Sequence, residues 1–372
     1  MGIFRLVLAL FVVMTHVAEL RLIGGSAVFA FFVLSGYLMT HVTCEVYGHS
    51  PGGFVAFWTN RALRLLPGYY LVLALTVVAA LVYGWPAMVA FKGTMFPPRD
   101  AAEWFETATM LYLTPTPILA ESRLVPPTWA LTLELVCYCL IALGISRTLN
   151  RTLGWIAGSL VFVTWAILVS DSPWTWAYGS IPAAFLPFAV GALLYHLRDR
   201  ALPWMGTQTD RALRALGLGR VGIDRGALLI VVSLAAIVAL TEIRRLVVPF
   251  SPTLSLLLLQ AVIVPAALGV AGGLLWRPRR GGRWRSVDGW AGDFSYPMYL
   301  VHYAVAFLVL SAMTVNLGLP SPSPWLLFAM TVPVALVFCW GATLAVDRPV
   351  QRLRSVVRDR VGARRTPQVD AA

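Results

Sequence analysis

Residues 3–20 read IFRLVLALFVVMTHVAEL, an apolar run broken only by Arg5, His16 and Glu19. A run of this length suits a helix crossing a bilayer, which needs about 20 apolar residues. Charged or titratable side chains inside such a helix are costly, face protein or water, and mark function. Arg5 and His16 are eleven residues apart. At about 100° and about 1.5 Å per residue, that is three turns plus about 20° and a separation of roughly 16 Å. The spacing predicts two stations on one polar track.

The rest of the chain resembles this stretch in kind. Of 372 residues, 59% are hydrophobic and 12% charged, about half the charge of an ordinary soluble domain. Apolar runs recur from end to end. They predict an all-α, polytopic integral membrane protein with about ten transmembrane helices, near 3–20, 26–43, 67–84, 128–146, 153–170, 177–196, 226–241, 252–276, 292–315 and 325–346. A signal peptide is the weaker reading of the first run, because the next begins at once. Two units are expected: a transmembrane domain over 1–350 and a basic cytoplasmic tail over 351–372, suited to anionic lipid.

With the N-terminus inside, the cytoplasmic segments carry 22 of the arginines, whereas the outer segments carry six basic residues: Arg21, Lys92, Arg99, Arg123, Arg244 and Arg245. This asymmetry predicts that both termini are cytoplasmic and that the protein is a multi-pass resident of the inner or plasma membrane. The net charge of +12 is then an orientation signal and not a nucleic-acid surface. Arginine makes up all but one of the basic residues, a bias expected of a GC-rich bacterial genome. Cys44, Cys137, Cys139 and Cys339 have no CxxC spacing and read as packing residues, neither disulfides nor metal ligands. The longest loop, 85–127, is expected outside, with AAEWFETATMLYL (101–113) forming a helix at the interface or folding back over a site.

Arg61 and Arg64 in NRALRLLP share a helical face and suit one anionic group, although positive-inside placement explains any isolated arginine pair equally well. His16 and Glu134 are expected at similar depth, where a carboxylate can orient an imidazole as a base. Glu19 is an alternative orienting group. His302 and Tyr299, in SYPMYLVHY, and Ser35, in FFVLSGYL, are candidates for substrate contact or for structural bonds between helices. For Ser35-Gly36, close helix packing is the first reading. No internal repeat is visible, which argues against an inverted-repeat transporter.

Arg followed eleven residues later by His, FFVLSGYL, RALRLLP, WALTLE and SYPMYLVH, in this order, resemble the acyltransferase 3 family of integral-membrane O-acyltransferases. The likeness runs from residue 3 to about 350. It implies an acyl-coenzyme A co-substrate entering from the cytoplasm and no tightly bound cofactor. It places the family's essential residues on Arg5 and His16, its R-x-x-R motif on Arg61 and Arg64, and its glutamate on Glu134. The chain departs in Ala130, where a serine is usual, and in Asp347, where glutamate commonly precedes the proline. Residues 350–372 do not form the hydrolase-like domain that some relatives carry after the spans, which leaves the acceptor open.

The resulting expectation is transfer of an acetyl or other short acyl group to a hydroxyl of a sugar-containing acceptor: an exported or cell-surface glycan, a glycolipid or a macrolide-type metabolite. His16 acts as general base with Glu134, while Arg5, Arg61 and Arg64 hold the donor phosphates. An acyl-histidine relay stands beside the general-base route. A transporter or flippase for acylated or anionic metabolites is the alternative from another class, since proton-coupled carriers also place His, Glu and Arg within the membrane.

Overall fold

The computed structural model describes residues 1–217, 223–276 and 282–363. Arg220, Arg277, Arg279 and Arg280 of the expected cytoplasmic loops, and residues 364–372 of the expected tail, lie outside the described residues.

The fourteen α-helices among the described residues run in chain order as α1 Gly2–Val17, α2 Ile23–Val42, α3 Pro51–Tyr83, α4 Trp85–Phe91, α5 Ala101–Thr109, α6 Thr128–Ala142 and α7 Leu149–Leu168. They continue as α8 Phe185–Ala215, α9 Arg225–Val247, α10 Pro252–Ala261, α11 Ile263–Leu275, α12 Arg283–Ser311, α13 Pro324–Ala342 and α14 Arg348–Ala363. No strand occurs among the described residues. Among the described residues, eight helical segments are long and apolar enough to cross a membrane, and α1 and α6 are shorter apolar helices. Each expected span falls on one of these segments; that of 252–276 is divided into α10 and α11 at Val262. The protein is an all-α polytopic membrane protein.

Local chemistry sets several helix starts. Ser50 Oγ accepts from Gly53 N at 3.1 Å ahead of Pro51, and Ser251 and Ser323 do the same ahead of Pro252 and Pro324. A hydroxyl acceptor at the cap followed by proline satisfies one free N–H and removes another. Long helices extend past the apolar runs. α3 begins well before residue 67, so Arg61 and Arg64 lie on continuous helix.

α2 and α12 are mostly buried, whereas α7, α9 and α13 expose Leu160, Val161, Val231, Val334 and Val337 on the periphery. Apolar exposure of this kind suits lipid contact. Helices cross most closely at glycines, as small residues permit. A methyl group on Gly36 would fall on the Phe188 carbonyl of α8, and one on Gly191 would fall on the Val33 carbonyl of α2. Gly36 thus serves the packing expected of the Ser35-Gly36 pair. The four cysteines are free.

α14 does not stand apart from the bundle. Arg354 Nε donates to Asn60 Oδ1 at 2.8 Å, and Asn60 Nδ2 donates to the Arg354 carbonyl at 3.1 Å. The segment expected as a separate tail begins as part of the transmembrane unit.

Candidate active site

Two cavities share a wall inside the bundle. The first, of about 500 Å³, is lined by Arg5 of α1, Arg61 and Arg64 of α3 and Arg354 of α14, with Glu134 and Tyr138 of α6 and Ser35 of α2. Asp288 and Asp293 of α12 also line it. Arg61 and Arg64 are three residues apart on one helix and reach the same space, as residues at that spacing do. The Arg61 Nε is buried without a hydrogen-bond partner. Glu134 is held from both sides: Ser35 Oγ donates to Oε1 at 3.1 Å and Tyr138 OH donates to Oε2 at 2.9 Å.

The second cavity, of about 380 Å³, is lined by His16, by Lys92 and Arg123 of the 85–127 loop, by Arg244 of α9, and by Trp129, Trp174, Tyr178 and Tyr303. Val28 and Tyr299 line both cavities and form the partition between them. Tyr299 is pinned by donating its hydroxyl to the Pro127 carbonyl at 3.0 Å. Arg5 opens on the first space and His16 on the second, so the two stations on α1 serve adjoining chambers.

His16 lies in the last turn of α1, and its exposed side chain lines the second cavity. Its Nδ1 lies 3.0 Å from Nε2 of His302 on α12, and the rings are within 5° of coplanar. His302 is fully buried, and its Nδ1 lies 2.8 Å from the Tyr299 carbonyl. Hydrogen-bond logic then assigns the protons. A carbonyl only accepts, so His302 Nδ1 donates to it. A neutral His302 therefore offers a lone pair at Nε2, which receives the Nδ1 proton of His16. This leaves the Nε2 lone pair of His16 as the free acceptor. The Tyr303 ring lies 4.9 Å from the His16 ring and 4.7 Å from that of His302, and limits their movement.

This corrects the partner expected for His16. Glu134 binds Ser35 and Tyr138 in the first cavity, and His302 holds the imidazole instead. The depth estimate failed because α6 is short and starts already sunk beneath the outer loop. Pro126, Pro127 and Trp129 at its start line the second cavity, and Glu134 lies about 10 Å further along the helix axis, in the first. Glu19 does not orient His16 either. It occupies a left-handed turn just beyond α1, with φ 56° and an exposed side chain. Ser35 lines the first cavity and donates to Glu134, and Tyr299 lines both cavities.

The 85–127 loop folds back over the second cavity, with α5 capped by Asp100, whose carboxylate accepts from Glu103 N at 2.9 Å. Arg123 N donates to the Thr94 carbonyl at 2.8 Å, and Tyr112 OH is paired with Thr128 Oγ1 at 2.7 Å. Burial pushes the Lys92 ammonium pKa below its usual value, and the charge of Arg123 pushes it the same way. Burial likewise lowers that of Arg123. Sequence reasoning missed Arg354, Lys92, Arg123, Arg244 and Tyr303. Three of them were visible as basic residues on the side that the orientation rule disfavours.

Residues 1–344 match the family described as an acyltransferase domain, acyltransferase 3. A 61-residue stretch is 43% identical to the Bacillus subtilis (strain 168) protein named "Putative peptidoglycan O-acetyltransferase YrhL". That stretch is 16% of this chain and 10% of that protein. No solved structure matches. The chain belongs to the acyltransferase 3 family and is a multi-pass membrane protein.

Proposed function

We propose that this acyltransferase carries an acetyl or other short acyl group from acyl-coenzyme A in the cytosol to a hydroxyl of a sugar-containing acceptor. The observation that carries the reading is the His16–His302 pair. It leaves one imidazole lone pair facing a cavity that adjoins a chamber lined by four arginines. The arginine excess supports a first cavity at the cytoplasmic face of the cell membrane, with both termini on that side.

Arg61, Arg64 and Arg354 take the donor phosphates, with Arg5 deeper along α1. Guanidinium groups suit this task because their fixed forks meet phosphate oxygens in pairs. Glu134, fixed by Ser35 and Tyr138, lines the same cavity as Arg5 and partly offsets the arginine charge. The pantetheine arm passes the Val28–Tyr299 partition and presents the thioester to His16. The separation of Arg5 and His16 along α1, roughly 16 Å, is of the order of that extended arm.

His16 Nε2 removes the hydroxyl proton as the acceptor oxygen bonds to the thioester carbonyl carbon. The imidazolium donates from Nδ1 to His302, whose own Nδ1 stays bonded to the Tyr299 carbonyl. Collapse of the tetrahedral intermediate breaks the carbon–sulfur bond, and His16 returns the proton to the departing thiolate. Positioned base catalysis of this kind is worth about 10² to 10⁴ in rate.

The test is thiol release by the purified protein in liposomes, supplied with acetyl-coenzyme A and cell-wall or exported glycan. Acceptor-dependent release of free coenzyme A with acylated glycan supports the proposal. Movement of the donor or glycan across the bilayer without thiol release would identify a carrier and overturn it.

A further inference from the structure

Resting on the acyl-transfer reading, we propose that the second cavity selects an acceptor sugar bearing a negative charge, a carboxylate or a phosphate, held by Arg123 and Lys92 beside His16.

Arg123, Lys92 and Arg244 line this cavity, and no Asp or Glu does among the described residues. The first cavity differs, since Glu134, Asp288 and Asp293 accompany its arginines. A cationic chamber without an acid, deep in a protein, is completed by an anionic ligand, because buried charge is costly unless it is paired.

Two of these cations are also unspent. Arg123 is 9% exposed, its Nε is buried without a partner, and its side chain makes no hydrogen bond among the described residues. Among the described residues Lys92 has one partner, the Tyr303 ring, with Nζ 5.5 Å from its centroid. Arg244 is committed to the fold: Nε donates to the Ser255 carbonyl at 3.0 Å and Nη1 to Ser26 Oγ at 3.1 Å. It supplies fixed positive charge, while Arg123 and Lys92 supply free donors.

Lys92, Arg123 and Arg244 are half of the six basic residues on the side that the positive-inside rule leaves poor in them. Orientation does not explain their presence, and their convergence on one cavity does. His16 lines the same cavity as Lys92 and Arg123, so the anion binds within reach of the base. Trp129, Trp174 and Tyr178 add flat faces of the kind that stack on sugar rings, with one apolar face and one polar tip each.

The experiment measures equilibrium binding of radiolabelled methyl β-D-glucuronide, methyl β-D-glucoside 6-phosphate and neutral methyl β-D-glucoside to the protein in nanodiscs. At least one anionic glycoside should bind tenfold or more tightly than the neutral one. Arg123→Gln combined with Lys92→Gln should abolish that preference, Arg123→Lys should keep most of it, and coenzyme A binding should be unchanged in both.

Equal binding of all three glycosides, absence of binding by both anionic ones, or a preference surviving the double variant overturns the proposal. Parallel loss of coenzyme A binding in the double variant also overturns it, because the cations would then serve the donor. Thiol release from acetyl-coenzyme A in the same preparations is read separately. Its absence alongside an intact anion preference would defeat the transfer reading and leave the anion site standing.

Discussion

Replacing His302 by phenylalanine removes two hydrogen bonds and adds a little volume, and it should slow catalysis without touching donor binding. In the native protein His302 accepts from His16 Nδ1 at 3.0 Å and is itself held by the Tyr299 carbonyl at 2.8 Å. Phenylalanine offers no acceptor, so the His16 ring is free to turn and to carry its proton on Nε2, where it is no base. The lost bond is about 1 kcal/mol for neutral partners and up to about 3 kcal/mol once His16 becomes an imidazolium. At about 1.4 kcal/mol per tenfold change, kcat should fall about 5- to 140-fold. The KM for acyl-coenzyme A should stay within twofold, because the arginines lie in the other cavity. The variant also takes the side-chain bond from the buried Tyr299 carbonyl, a loss of about 0.5–1.5 kcal/mol that appears as a lower melting temperature. His302→Gln, which offers an amide oxygen to His16 and an N–H to the carbonyl, should recover part of the rate. Steady-state thiol release at varied donor concentration is the assay. Wild-type kcat in His302→Phe, or a raised donor KM with unchanged kcat, would refute the reasoning.

Other expectations follow from the same geometry. Arg61→Ala with Arg64→Ala should raise the KM for acyl-coenzyme A tenfold or more and leave kcat near normal; Arg354→Ala should move the same parameter less. Titrating each variant with coenzyme A checks this directly. Glu134→Gln should likewise act on donor affinity and leave the pH profile of kcat in place, whereas a shifted profile would restore a direct tie between Glu134 and His16. Gly36→Ala should destabilise the α2–α8 crossing by about 1–3 kcal/mol, because the new methyl meets the Phe188 carbonyl. A thermal melt in detergent unchanged from wild type would count against that crossing.

The helical membrane fold was legible because lipid demands long apolar runs, and each run fell on a helical segment. The Arg5–His16 relation was legible for a similar reason: both lie on one helix, where spacing sets position. The partner of His16 was not. His302 is 286 residues away, and only the packing of α1 on α12 joins them. Glu134 was misplaced by the assumption that each span crosses the full bilayer. α6 has 15 residues, about 22 Å of helix, and starts below the folded outer loop. Arg354 was assigned to a lipid-facing tail by its arginine-rich surroundings, although its bonds to Asn60 turn it into the first cavity. The outer cations were counted for orientation, and a count carries no information about convergence.

The central claim is that the exposed edge of His16 is the base in an acyl transfer fed from the arginine chamber. The most direct measurement is coenzyme A release by His16→Ala, purified and reconstituted beside wild type, with coenzyme A binding measured on the same samples. The account predicts loss of turnover by at least 10²-fold with donor binding intact. Turnover near wild type in that variant would contradict it.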